Sequence, residues 1–230
     1  MISFLARILD LISPRLCMVC GERLGIDEDL MCLRCHLNLP RTQYAASAQD
    51  NRMARLLWGI VPVERCAAWF YYKGGSGVTR MIVDMKYHDR PELGTMMGEM
   101  AAREMAEDGF FEDIDVMIPM PLSPQHQRRR GYNQSVWIAE GIQKVTGLPI
   151  EKKAVRRRNY EGSQANKRAY ERITEEENTF EVLRPDRLTG RHVLIVDDVM
   201  TTSMTVRECA LALCAIPDVR ISVFCLGFAG

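Results

Sequence analysis

The sequence predicts an α/β domain with a mainly parallel sheet, preceded by a small cysteine-rich unit. Three observations carry that expectation. From Val63 onward, short apolar runs alternate with helix-length amphipathic stretches. The most β-branched run, Val193, Leu194, Ile195 and Val196, ends in two adjacent carboxylates and a row of hydroxyl-bearing residues. Two Cys-x-x-Cys pairs, Cys17/Cys20 and Cys32/Cys35, stand ahead of all this.

Taken in order, residues 1–12 place Ile2, Leu5, Leu9 and Ile12 on one helical face, which predicts a short helix docked on the protein. A helix lying on a membrane surface is the alternative, with only Arg7 to attract anionic lipid. The start lacks the cationic leader and cleavage site of a signal peptide. The cytoplasm is the expected compartment, with the inner face of the membrane as a peripheral option. Cys17-x2-Cys20-x11-Cys32-x2-Cys35 then offers four thiolates to one tetrahedral zinc, and Gly21 gives the first pair a tight backbone. With all four positions filled by protein, the metal's role is structural. A redox dithiol, or His36 in place of one thiolate, are the alternatives.

Residues 42–52 are polar and rich in Ala, Ser and Gln, so they read as a linker. The expected division is 1–45 for the amino-terminal helix and cysteine unit and 60–230 for the α/β domain. Strands are predicted at 66–72 and 115–119, and helices at 79–86, 93–105 and 132–146, the last ended by Gly147. Residues 156–177 are charge-dense and read as a mobile excursion. The run at 193–196, a helix at 205–215 and a strand at 221–227 complete the pattern.

Composition narrows the classes of function. Lys plus Arg equals Asp plus Glu at 30 each, so no global field draws in nucleic acid or membrane, and anion affinity must be local. A chain of 230 residues, 47% hydrophobic, buries enough core to fold without disulfides. Cys66, Cys209, Cys214 and Cys225, scattered among apolar residues, read as reduced core cysteines. No run reaches the ~18–20 apolar residues that span a bilayer.

The chemistry concentrates after residue 192. Asp197 and Asp198 sit at the carboxyl end of a strand expected to be buried on both faces, where open parallel sheets bind ligands. Val199 and Met200 lead into Thr201, Thr202, Ser203, Met204 and Thr205, just before a helix. Their backbone N–H groups, hydroxyls and the helix N-terminus suit a dianionic phosphate. The carboxylates can accept hydrogen bonds from two vicinal ribose hydroxyls. Together they read as a ribose 5-phosphate receptor; a buried strand and capped helix with acids placed by chance is the alternative. Earlier in the chain, a strand ends at Pro119, followed by Pro121, Leu122, Ser123 and Pro124 and then by Arg128, Arg129, Arg130 and Gly131. A rigid turn followed by three arginines can hold a polyanion, although such a triplet also suits a solvated surface.

Residues 197–205 resemble the phosphoribosyl pyrophosphate motif of type I phosphoribosyltransferases, and the chain as a whole resembles ComF-type proteins. The second resemblance rests on the cysteine unit, on Arg130-Gly131-Tyr132-Asn133-Gln134, and on Gln164, Arg172 and Phe180 at intervals of eight. It implies a type I phosphoribosyltransferase fold with an amino-terminal four-cysteine zinc knuckle. Asp197 and Asp198 would meet the ribose, residues 199–205 the 5′-phosphate, and Pro121, Leu122 and Ser123 the pyrophosphate, with magnesium. The loop carrying Gln164 and Arg172 would close over the ligand. Met85-Lys86-Tyr87 resembles a segment that precedes the nucleotide site, and Lys86 reads either as an exposed helix-end lysine or as a phosphate contact. Transfer to an unidentified acceptor is one implied role. The other is binding of single-stranded DNA or of other competence proteins during DNA uptake, with the sugar-phosphate site used for regulation. The chain departs from the family pattern at Ser203 and Met204, where Gly-Ala is usual, and at Glu175, where Asn is usual. A serine in place of that glycine is expected to reshape the turn.

Between residues 123 and 172, twelve basic residues face four acidic ones, an excess of about +8 in a neutral chain. The patch suits pyrophosphate or a single-stranded backbone. Tyr132, Tyr160 and Tyr170 lie within it, as stacking platforms or as packing residues.

Overall fold

The computed structural model describes residues 14–158 and 179–230. The expected helix at 1–12 and the expectations at Tyr160, Gln164, Tyr170, Arg172 and Glu175 lie outside the described residues.

Strands β1 (Arg65–Tyr71), β2 (Val116–Pro119), β5 (His192–Met200) and β6 (Arg220–Phe228) form a parallel sheet in the order β1–β6–β5–β2. Strands β3 (Val155–Arg157) and β4 (Phe180–Val182) form a separate small antiparallel pair. The α/β class and the mainly parallel sheet are as expected. The central strands are buried on both faces: residues 192–196 and 221–228 are all shielded from solvent, as their largely apolar composition requires, and the two buried polar side chains among them, His192 and Ser222, hydrogen-bond to each other at 2.8 Å. Two features differ from expectation. β5 continues through both aspartates to Met200, held by pairing of Asp197 with Cys225 and Met200 with Phe228. The β3–β4 pair borders the predicted excursion, in sequence too charged to show strand alternation.

Seven α-helices accompany the sheet among the described residues: α1 (Leu33–Leu37), α2 (Arg52–Arg55), α3 (Gly77–Tyr87), α4 (Glu92–Ala106), α5 (Pro124–Arg130), α6 (Gln134–Thr146) and α7 (Met204–Cys214). Local chemistry sets their limits. Ser76, Ser123 and Asn133 each accept a backbone N–H at the start of α3, α5 and α6. Gly131 and Gly147 end α5 and α6 in the left-handed conformation, at φ 77° and 73°. Because Asn133 is the cap, α6 starts at Gln134 rather than at 132. Helices α4 and α6 cross at backbone contact: a Cβ on Gly98 would lie 2.3 Å from Ile138 O, and one on Gly141 2.1 Å from Thr95 O. That crossing holds the middle of α6 tightly against α4.

The segment at 42–52, expected as a linker, is fastened to the edge of β1. Thr42 N–H donates to Trp69 O at 3.2 Å, and Asn51 Nδ2 donates to Cys66 O at 2.7 Å. Thr42, Tyr44, Ala45, Ala48 and Asn51 are buried. Covering the outer strand in this way removes an open edge. The cysteine unit shares the same core through Leu24, Leu30, Met31 and Leu39. It meets α3 where Gly77 leaves no room for a side chain, since a Cβ there would lie 2.4 Å from Val19 O.

Candidate functional site

The carboxyl ends of β2 and β5 bring four parts of the chain together. On β5, Asp197 Oδ1 accepts the N–H of Asp198 at 2.8 Å and the hydroxyl of Ser135 at 3.3 Å. Ser135 lies in the first turn of α6 and is buried. Burial and the adjacent Asp198 charge push the Asp197 carboxyl up to about 7, against the N–H of Asp198, Lys86 and Ser135, which favour its ionised form. Asp198 is 8% exposed, and its Oδ1 lies 2.7 Å from Lys86 Nζ. Lys86 comes from the last turn of α3. It is therefore no exposed helix-end lysine: its side chain keeps only 20% of its surface and reaches the second aspartate.

Beyond the aspartates the backbone turns into α7. Thr201 and Thr202 are exposed, Ser203 and Thr205 half-buried, and the Ser203 side chain makes no capping bond. Ser203 has φ −72° and ψ −7°, an ordinary right-handed conformation, and no residue from 199 to 205 has positive φ. Serine therefore occupies this position of the turn without backbone strain. Met204 is 47% exposed and directs its bulk to solvent. Hydroxyls and the amino end of an eleven-residue helix thus stand beside two carboxylates, an arrangement suited to a phosphate next to a diol.

On the β2 side, Met120 N–H donates to Val196 O at 2.8 Å, which ties the start of the proline turn to β5. Pro121, Leu122 and Ser123 are half-buried. Ser123 Oγ is engaged as the α5 cap, accepting from His126 N at 3.3 Å. Asn133 Nδ2 donates to Met120 O at 3.0 Å, linking this turn to the start of α6. Gln134 is fully buried, and neither polar atom of its amide has a protein partner among the described residues.

The arginines divide into two groups. Arg129 and Arg130 lie over the ring of the exposed Tyr87, at 5.7 and 5.3 Å from its centre, and Arg128 is exposed. Burial and the charges of Arg130, Arg157 and Arg129 hold His126 below the usual histidine range, so Arg157 belongs to the same field. By contrast, Arg156 and Arg158 pair with Glu181, Lys152 with Glu140, and Lys144 with Glu99. The excess counted along the sequence is thus partly neutralised. Tyr132 is half-buried, its hydroxyl donating to Met85 O, so it is a packing residue and not a stacking platform.

The four amino-terminal cysteines converge. Their Sγ atoms all lie within 4.8 Å of one another, a set that could hold a metal ion. Burial raises the Cys17 thiol, but N–H groups of Cys20, Cys32 and Val19 outweigh it and leave its pKa at about 6, favouring a thiolate. His36 does not join the set. Its Nε2 lies 2.8 Å from Glu104 Oε1, and Glu104 also accepts from Arg41 and from Trp69 Nε1 at 2.9 Å. These contacts dock the cysteine unit on α4.

Known proteins resemble this chain over most of its length. The DNA utilization protein YhgH of Shigella flexneri is 27% identical over 214 residues, which cover 92% of this chain and 89% of the relative. Competence protein F of Haemophilus influenzae is 29% identical over 110 residues, 47% of this chain and 48% of the relative. The chain is thus similar in sequence to proteins named for DNA utilization and competence. No family model matches it. A solved structure described as the allosteric regulatory enzyme of purine biosynthesis overlaps 60% of this chain and 25% of its own, at 21% identity and a TM-score of 0.38. No described helix is long and apolar enough to cross a membrane.

Proposed function

We propose that this protein binds phosphoribosyl pyrophosphate with magnesium between the β5–α7 turn and the proline turn after β2, and transfers the phosphoribosyl group to an acceptor that its own motifs do not identify. The observation that carries this is the pair Asp197–Asp198 running directly into a row of hydroxyls at the amino end of α7. The aspartates accept the ribose hydroxyls, Thr201, Thr202, Ser203 and Thr205 hold the 5′-phosphate, and Pro121, Leu122 and Ser123 hold the pyrophosphate. Magnesium, when bound with the ligand, offsets diphosphate charge. Transfer breaks the bond from ribose C1 to oxygen, whose electron pair leaves with pyrophosphate, as the acceptor's lone pair forms the new bond to C1. The chain's contribution is orientation and charge placement. The type I phosphoribosyltransferase fold, the 60–230 extent of the domain and a cytoplasmic site of action belong to the same proposal. The four cysteines hold one structural zinc, a role suited to four converging thiols that fill every position of a tetrahedral ion.

The test is pyrophosphate release from phosphoribosyl pyrophosphate and magnesium in the presence of a panel of bases and amines. Release that depends on one acceptor supports transfer; ligand binding with no release across the panel would reduce the function to binding alone.

A second reading has its own observation. Exposed Tyr87 under Arg129 and Arg130 is a cationic surface with an aromatic face, suited to single-stranded DNA. Relatives named for DNA utilization and competence give it context. Here the sugar-phosphate site would regulate rather than catalyse.

A further inference from the structure

Lys86 stands where a ligand's sugar would make its contacts. Its ammonium lies 2.7 Å from Asp198 Oδ1, and both side chains are largely buried. A ribose hydroxyl that donates to this carboxylate competes with Lys86 for the same oxygen. An ammonium that loses a carboxylate in so buried a place needs another anion, because leaving it unpaired is costly.

Where that anion must lie follows from how the end of α3 is held. Tyr132, just after α5, donates from its hydroxyl to Met85 O, and Arg129 and Arg130 of α5 lie over the ring of Tyr87. Both neighbours of Lys86 are thus tied to residues 129–132, at and just beyond the end of α5. The end of α3 that carries Lys86 is held beside the segment that follows the proline turn, where the proposed binding mode puts the diphosphate on C1.

We propose that Lys86 is a specificity-determining residue: it exchanges Asp198 for the C1 diphosphate when a sugar phosphate binds, and so admits ribose 5-phosphates that carry an anion on C1 over those that do not. The exchange rests on the phosphoribosyl site proposed above. Ribose 5-phosphate, with a neutral hydroxyl on C1, displaces Lys86 from Asp198 and offers it nothing in return. Phosphoribosyl pyrophosphate offers it a diphosphate oxygen within reach of the same tether. No bond is made or broken; an ion pair within the protein is replaced by one to the ligand.

The experiment is calorimetric titration of the full chain with ribose 5-phosphate and with phosphoribosyl pyrophosphate, each with magnesium, for the wild type, Lys86→Gln and Lys86→Arg. Glutamine keeps a donor to Asp198, so the fold is retained while the charge is removed; arginine keeps the charge. The wild type is expected to prefer the diphosphate at least tenfold. Lys86→Gln should compress that preference by about tenfold, mainly by weakening the diphosphate, and Lys86→Arg should largely keep it. A preference unchanged in Lys86→Gln overturns the role of Lys86 and leaves the binding site standing. Failure of the wild type to bind either sugar phosphate overturns both. Should Lys86→Gln fail to fold by circular dichroism, equal wild-type affinity for the two sugars, or loss of the preference in a folded Lys86→Arg, overturns the exchange.

Discussion

Ser135, in the first turn of α6, donates its hydroxyl to Asp197 Oδ1 at 3.3 Å across the carboxyl end of the sheet. The bond joins the helix whose position is set by the α4 crossing to the strand that carries both aspartates. Ser135→Ala should lower stability by about 1 kcal/mol, the ordinary loss for one hydrogen bond. It should also weaken phosphoribosyl pyrophosphate several-fold, because Asp197 loses a group that fixes its rotamer. Urea denaturation and calorimetry check the two effects, and a weakened site with unchanged stability would show that Ser135 acts on the ligand directly.

The helix crossing itself is a packing constraint on the site. Gly98→Ala and Gly141→Ala each place a methyl against a backbone carbonyl at little more than 2 Å. Each should cost about 3 kcal/mol or more, at the upper end of overpacking penalties. Thermal unfolding reads this directly; a variant that melts with the parent would mean that α4 and α6 are not in contact here.

Asp197 gives the fold a pH dependence of definite sign. Burial and the Asp198 charge raise its carboxyl from 3.8 to about 7. The contribution of the favoured protonated form is complete below about pH 4 and is lost as pH rises through about 7. Asp197→Asn is neutral throughout, so it should flatten the fall in stability across that window. Urea midpoints measured on the acid and alkaline sides of that window should differ less in the variant than in the wild type; equal differences would contradict the burial of this carboxylate.

The cysteine unit should fail together with the domain it docks on. Leu30, Met31 and Leu39 share the domain core, and Glu104 binds His36, Arg41 and Trp69 at the junction. Thiol modification should release one zinc per chain and lower the melting temperature of the whole protein. Glu104→Gln, which retains the shape and loses the charge, should cost about 1–3 kcal/mol. Zinc release without any shift in melting would uncouple the unit from the sheet.

The parts legible in the residues are those where side-chain pattern alone sets structure. The β-branched run at 193–196 has to be buried, and two Cys-x-x-Cys pairs have to converge. Helix α5 is not legible in this way because Gln125, His126, Gln127 and the three arginines have no apolar face, although Ser123, Pro124 and Gly131 mark its ends. The β3–β4 pair is hidden for the same reason. The role of Lys86 is set by tertiary structure, since only the fold places the end of α3 beside β5, and its pairing with Asp198 is 112 positions distant in sequence. A count of charge along the chain overstates the excess because Glu99 and Glu181, which neutralise part of it, lie outside the segment counted.

Calorimetric titration of phosphoribosyl pyrophosphate with magnesium into the wild type and Asp197→Asn tests the central claim most directly. Saturable one-to-one binding by the wild type, weakened at least tenfold in a folded Asp197→Asn, is the predicted result. No binding by the wild type, or equal binding by both proteins, would contradict a ribose-phosphate receptor at the end of β5.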